Sequence, residues 1–256
     1  MQLIDTHCHL DFPNFDPDRD AVVERALSSG VSAIINVASS LEASKKSILL
    51  SKQYDCVFAT VGMHPHEAAK VEEEDWQVLE KLLLAPKVVA IGEVGLDYYR
   101  NLSPKVKQQQ VFERFISLAA KFNLPLVVHS RDSQADSLSI LRRMKYPKVV
   151  IHCFSGDEEF LKECLDLGFY VSFTANLTYK KVDDLRHLVS ELPQDKFFLE
   201  TDAPFLAPQA MRGKRNEPAY LKYLLEELSL ILHLHQEEIA IKTSQNAKKF
   251  FSLDAV

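Results

Sequence analysis

Eight short apolar runs recur along this chain, and a helix-length stretch follows each of them. The runs occupy residues 3–4, 33–37, 57–61, 88–91, 124–128, 149–151, 170–173 and 197–199. They are rich in Val, Ile and Phe, as strands covered on both faces are. Helix-length segments at 40–53, 72–85, 103–122, 132–145, 157–167 and 181–191 separate them, and two more follow near 218–232 and 236–250. A further helix opens at Asp16-Pro17, with Asp as N-cap and Pro as the first helical residue, and closes at Gly30. Gly168 stops the 157–167 segment in the same way. Strands alternating with helices eight times predict an α/β protein of the (β/α)8 TIM-barrel class, one domain over residues 1–256. The length agrees, since such a barrel takes about 250 residues. A doubly wound open sheet has the same alternation. No G-x-G-x-x-G follows the first run, which weakens a dinucleotide-binding version of it.

Composition narrows the function classes. The chain carries 30 Lys and Arg against 36 Asp and Glu, a formal charge of −6, so it is not a broad polycation for duplex DNA. A local basic pocket for a polyanion stays open. No apolar run approaches the roughly 20 residues of a membrane span, and no basic segment with an apolar core follows Met1, so the expected location is the cytoplasm. The 4 cysteines form no C-x-x-C pair and are expected as reduced thiols.

The chemistry gathers where the apolar runs stop. The first continues into Asp5-Thr6-His7-Cys8-His9. His7 and His9 are two apart, so an extended backbone points both to one side and Cys8 to the other. Such a pair either shares a metal ion or is two unrelated half-buried histidines. The fourth run ends at Gly92-Glu93, where a carboxylate is costly unless paired or ligating, and Gly92 and Gly95 leave room for close approach. His129, His152 and Asp202 end the fifth, sixth and eighth runs. Each alone is explained by capping or core pairing. Together, His7, His9, Glu93, His129, His152 and Asp202 converge on one mouth of the proposed barrel and predict a metal site. Six ligands exceed the three of a usual catalytic zinc. Glu93 bridging two ions accommodates them, with His7, His9 and Asp202 on one and His129 and His152 on the other. A shared water then ionises near neutral pH, and Asp202 is placed to orient or deprotonate it, so Glu93 and Asp202 are the expected catalytic carboxylates.

These stretches resemble the TatD family of metal-dependent hydrolases. The resemblance is carried by residues 4–12 (IDTHCHLDF), 91–98 (IGEVGLDY), 129–132 (HSRD), 152–156 (HCFSG), 200–208 (ETDAPFLAP) and 212–220 (RGKRNEPAY), in the family's order and over nearly the whole chain. It implies an amidohydrolase-like TIM barrel with metal-dependent deoxyribonuclease activity, of the 3′→5′ exonuclease kind favouring single strands. It also implies metal ligation by the same six residues, with Glu93 bridging, and contact of His64 with substrate phosphate. After the seventh strand the chain departs from the family's Gly-Pro or Gly-Gly turn and carries Thr174-Ala175-Asn176-Leu177-Thr178 near the mouth.

Around the ligands, Arg131 follows a ligand directly and either clamps phosphate or pairs with a carboxylate. The most basic loop, Arg212-Gly213-Lys214-Arg215-Asn216-Glu217, offers Arg212 and Arg215 to a nucleotide backbone, or pairs internally through Glu217. Asp97 and Glu200 are expected behind ligand histidines as hydrogen-bond partners. His66 reads as a solvated neighbour of His64. Tyr98, Tyr99, Phe154 and Phe205 are candidates to stack on bases, with core packing as the plain alternative for the phenylalanines. Cys8 and Cys153 are expected to point into the barrel wall, away from the metals. Four imidazoles suit Zn²⁺, Mn²⁺ or Co²⁺, whereas the family resemblance implies Mg²⁺. The expected partner is DNA, single-stranded or at its ends, with no membrane and no obligate protein partner evident. Two other readings remain: hydrolysis of another ester or amide bond, such as D-aminoacyl-tRNA deacylation, and a non-catalytic metal-binding scaffold.

Overall fold

The computed structural model describes residues 2–253. Its centre is an eight-stranded sheet in sequence order: β1 (Leu3–Cys8), β2 (Val31–Asn36), β3 (Val57–Val61), β4 (Val88–Asp97), β5 (Leu126–Arg131), β6 (Val149–Ile151), β7 (Tyr170–Phe173) and β8 (Phe197–Leu199). All seven successive pairings are parallel. The segment after β8 returns to β1 through a parallel bridge between Cys8 and Ala203. The predicted TIM barrel is the fold.

Helices α1 (Arg19–Ser28), α2 (Leu41–Gln53), α3 (Glu73–Leu82), α4 (Lys105–Phe122), α5 (Gln134–Met144), α6 (Glu158–Asp166) and α7 (Asp183–Ser190) lie between successive strands. Two more, α8 (Leu221–Leu232) and α9 (Gln236–Phe251), follow β8. Local chemistry sets several ends. Ser40 caps α2 by accepting from the Ala43 amide, and Asp157 caps α6 by accepting from that of Phe160. Gly168 follows α6 at φ +78°, a left-handed conformation that suits glycine.

The first helix begins later than expected. Residues Pro13–Phe15 form a 3-10 turn, and α1 starts at Arg19 rather than at Pro17. The extra residues seat Phe15 in full burial and bring the Arg19 Nε to the Leu10 carbonyl at 2.7 Å. Asp16 pairs with Arg19 instead of capping.

Two apolar layers hold the barrel. Ile4, Ile35, Phe58, Val127, Val150 and Phe198 form one cluster together with Ala247 and Phe251 of α9. The other joins alternate strand residues, such as Ile34, Val57, Ile91 and Leu126, to the surrounding helices. α9 crosses the N-terminal ends of the strands. Its Ser244 hydroxyl donates to the Gln2 carbonyl at 2.9 Å, and its Asn246 amide donates to the Phe197 carbonyl at 3.1 Å. That end is sealed, so the mouth at the C-terminal strand ends is where chemistry remains open. No helix among the described residues is long and apolar enough to cross a membrane.

Candidate metal centre

The strands extend past their apolar runs into the polar residues. β1 continues to Cys8, β4 to Asp97 and β5 to Arg131, so His7, Glu93 and His129 sit on the barrel wall itself. Gly92 and Gly95 make this possible beside Glu93. A Cβ on Gly92 would collide with Val127, and one on Gly95, whose φ is +132°, would overlap the His129 carbonyl. The Glu93 amide is held by the Ala38 carbonyl at 2.7 Å.

Glu93 is central and its two oxygens face different neighbours. Oε1 lies 2.7 Å from His129 Nδ1, 2.7 Å from His152 Nε2 and 3.6 Å from His64 Nε2. Oε2 lies 3.6 Å from His7 Nε2 and 3.8 Å from His9 Nε2. Asp202 Oδ1 is 3.7 Å from His7 Nε2 and 3.4 Å from His9 Nε2. All six expected ligands are therefore brought together. His64 joins them, in a group with Glu93 and His129 whose nearest ligand atoms lie within 4.8 Å of one another.

The opposite ring nitrogens decide what each imidazole presents. His9 Nδ1 donates to the Val37 carbonyl at 2.7 Å, leaving Nε2 free toward Asp202. His129 Nε2 faces Asp97 Oδ2 at 3.2 Å, and Nδ1 faces Glu93. His152 Nδ1 faces Glu200 Oε1 at 3.6 Å, and the same oxygen accepts the Cys153 amide at 2.6 Å. Asp97 and Glu200 thus stand behind histidines, on the sides turned away from Glu93. His66 is more than a solvated neighbour: its Nε2 lies 2.9 Å from Asp97 Oδ2, so Asp97 serves two imidazoles.

Burial raises the Glu93 carboxyl, but His152, His64 and His129 outweigh it and hold the group well below its usual range. Burial lowers the His9 imidazole, and the hydrogen bond and charge of Asp202 reverse this, to about 9. His64 is the opposite case: burial dominates and takes it down to about 3. It is a neutral imidazole at pH 7. Its Nδ1 accepts from the His66 amide at 3.1 Å, so the proton is on Nε2, the atom facing Glu93.

The donor set suits divalent cations. His7 Nε2 and His9 Nε2 lie 3.2 Å apart in full burial, and both face the carboxylates of Asp202 and Glu93. One proton satisfies only one such contact, whereas a cation accepts the lone pairs of both imidazoles and the carboxylate charge together. The thiols stand outside the set. Cys8 Sγ is buried against the Ala203 carbonyl at 3.7 Å, as expected of the wall, whereas the Cys153 Sγ is half-buried 3.9 Å from Thr174 Oγ1. Burial, with nearby carboxylates, pushes both thiols well above their usual range.

The arginines divide. Arg131 is exposed, with its guanidinium 3.9 Å over the Tyr99 ring, and Arg212 is exposed 4.4 Å over Tyr179. Arg215 is engaged within the fold: it holds Asp18 at 2.7 and 2.9 Å and the Asn14 carbonyl at 2.7 Å. Glu217 pairs with Arg25 at 2.7 Å, the internal pairing that a charged loop allows. The guanidinium of Arg215 is thus spent on the α1 side rather than held free for a nucleotide backbone. Among the aromatic candidates, Phe154 is core, while Tyr99 and Phe205 are exposed.

One site residue escaped the sequence reading. Asp5 is fully buried and accepts from the Thr201 amide at 2.9 Å, the Thr201 hydroxyl at 2.6 Å and the His7 amide at 3.3 Å. It ties β1 to the segment carrying Asp202. A carboxylate inside an apolar strand was the available signal.

The model of the TatD-related DNase family matches residues 4–252 of this chain. The chain belongs to that family. Within it, the chain is 39% identical over 254 residues to the uncharacterized metal-dependent hydrolase YabD of Bacillus subtilis, covering 98% of this chain and 100% of that protein. It is 34% identical over 258 residues to the 3′-5′ ssDNA/RNA exonuclease TatD of Citrobacter koseri, covering 98% and 99% of the two chains. The solved structure of YJJV, a TatD homolog from Escherichia coli, superposes with a TM-score of 0.94 at 30% identity over 98% of each chain. As a TatD-related protein with this cluster at its barrel mouth, the chain is a metal-dependent hydrolase acting on ester bonds.

Proposed function

We propose that this TatD-family hydrolase is a deoxyribonuclease that removes nucleotides from the 3′ ends of single-stranded DNA, and that the residues around Glu93 would hold two divalent ions for that reaction. The observation that carries the two-ion reading is the division of Glu93, with Oε1 toward His129 and His152 and Oε2 toward His7 and His9. His7, His9 and Asp202 would hold one ion together with Glu93, and His129 and His152 would hold the other. The substrate reading is supported by the family and by the exonuclease TatD named above.

When bound, the ions neutralise charge on the scissile phosphate and make water acidic enough to attack near neutral pH. Glu93 stays ionised under the surrounding imidazoles and keeps both groups in register. Asp202 is an ionised carboxylate beside the His7–His9 pair, placed to take the proton from the attacking water. His64 contributes a neutral Nε2–H that donates to a phosphate oxygen, and being uncharged it adds no repulsion toward bound cations. Arg131 and Arg212, exposed and seated on aromatic rings, contact phosphates further along the strand. The imidazole-rich set favours Zn²⁺ over Mn²⁺ in affinity, and both over Mg²⁺, which prefers oxygen ligands.

The test is a time course on a 5′-labelled single-stranded oligonucleotide with Mg²⁺, Mn²⁺ or Zn²⁺, beside Glu93→Gln. A ladder shortening from the 3′ end, metal-dependent and lost in the variant, is the expected result. An oligonucleotide left intact under every ion overturns the nuclease reading in favour of acyl or small phosphoester substrates. Turnover unchanged in a folded Glu93→Gln protein overturns the site.

A further inference from the structure

Phe205 lies in the segment after β8, three residues past Asp202, and the residue is 51% exposed. The backbone beneath it is anchored. The Phe205 amide donates to the Asp202 carbonyl at 2.9 Å, and buried Asn216 donates its side-chain amide to the Phe205 carbonyl at 2.7 Å and the Thr201 carbonyl at 2.9 Å. The ring is therefore carried on a rigid support shared with a candidate ligand, while half of it meets solvent.

Its surroundings are aromatic. Phe205 stands 5.8 Å from Phe12 at an interplanar angle of 86° and 6.2 Å from His9 at 71°. Phe12 in turn stacks on His9 at 4.8 Å. Scattered exposed apolar residues are normal on a protein surface. This one differs in its place, with its ring 6.2 Å from that of His9, a candidate ligand. An exonuclease must also accept any base as it advances, and stacking gives that tolerance because every base has an apolar face.

We infer that Phe205, backed by Phe12, is the platform on which a nucleobase flanking the scissile phosphate stacks. The assignment rests on the nuclease reading above and adds to it the subsite that holds the end of the strand. Phe205 binds; it takes no part in proton transfer.

The test uses three oligonucleotides: one intact, one with an abasic residue at the 3′-terminal position, and one with it at the penultimate position. On the intact strand, Phe205→Ala lowers kcat/KM by roughly 5- to 150-fold, the range of base–aromatic stacking, and Phe205→Tyr or Phe205→Trp restores it. On one of the abasic strands, wild type and Phe205→Ala become equal, because the partner of the ring is gone. An equal loss on all three strands, or a fall in metal content or melting temperature that accounts for it, overturns the platform. A second readout separates this inference from the reading beneath it. A 2-aminopurine base is placed at each position, next to a phosphorothioate linkage that slows cleavage. Quenching in wild type that disappears in Phe205→Ala supports the platform even if no strand is ever cut. Cleavage without Phe205-dependent quenching or coupling overturns the platform and leaves the nuclease standing.

Discussion

The backbone amide of Asp202 donates to the carbonyl of His7 at 2.8 Å. The neighbouring bond, from the His9 amide to the Ala203 carbonyl, is also 2.8 Å. Closing the barrel and assembling the His7–His9–Asp202 group are thus one event. Asp5 holds the same junction through Thr201 and the His7 amide. Asp5→Ala leaves these buried donors without their acceptor and is expected to cost about 2–4 kcal/mol and to lower metal content. Asp5→Asn, which keeps an acceptor, loses less. Denaturant midpoints and bound-metal analysis check this, and an Asp5→Ala protein with normal stability and full metal content contradicts it.

Asp97 links His66 and His129, so its removal acts on the centre without touching Glu93. Asp97→Ala is expected to weaken metal affinity or activity by roughly 10- to 100-fold, the usual effect of losing a partner behind a ligand histidine. His66→Ala leaves the Asp97–His129 contact in place and costs less, on the order of tenfold or below. Metal titration with kcat/KM on each variant measures both, and a larger loss in His66→Ala than in Asp97→Ala reverses the assignment.

The two kinds of arginine predict opposite phenotypes. Arg131 is free above Tyr99, so Arg131→Ala should raise KM for DNA and flatten its salt dependence by about one phosphate contact, with stability nearly unchanged. Arg215 is bound to Asp18 and Asn14, so Arg215→Ala should lower the melting temperature and leave kcat/KM of the folded protein within a few-fold. Salt-dependent kinetics and thermal melts on the pair decide, and exchanged phenotypes would refute the assignment.

Asp18 supplies a pH signature. Arg215 first, and Arg25 with it, lower its carboxyl from 3.8 to about 2. A depressed pKa in the folded state adds stability that is present above the unfolded value and lost as pH falls through the folded one. The stability gap between wild type and Asp18→Asn should therefore be constant above about pH 5 and narrow between about 4 and about 2. Denaturant midpoints across that range read it directly; a gap that ignores pH removes the ion pair from the account.

Chelation should destabilise the protein. With free ion at about a hundredfold over its dissociation constant, binding contributes about 2.7 kcal/mol, or a shift of roughly 5–10 °C for a chain of this size. Melts with and without chelator test it, with readdition of Zn²⁺, Mn²⁺ and Mg²⁺ in turn. The order of recovery ranks the ions by affinity.

By itself, the sequence determined the barrel and the residues at its mouth. Apolar runs with period-two or continuous burial mark strands wherever they occur. A polar residue ending such a run, like Glu93, His129 or His152, stands out because burying it is costly without a partner. Gly30 and Gly168 marked helix ends for an equally local reason. Only the tertiary structure decided the rest. It set the start of α1 by seating Phe15, paired His66 with Asp97, joined Asp5 to Thr201 and committed Arg215 to Asp18. It also left Phe205 exposed while burying Phe154. These relationships link residues far apart in the chain, and local patterns of hydrophobicity and turn chemistry do not encode them. They follow from where the closed barrel brings its loops, which a side chain's own neighbours in sequence do not specify.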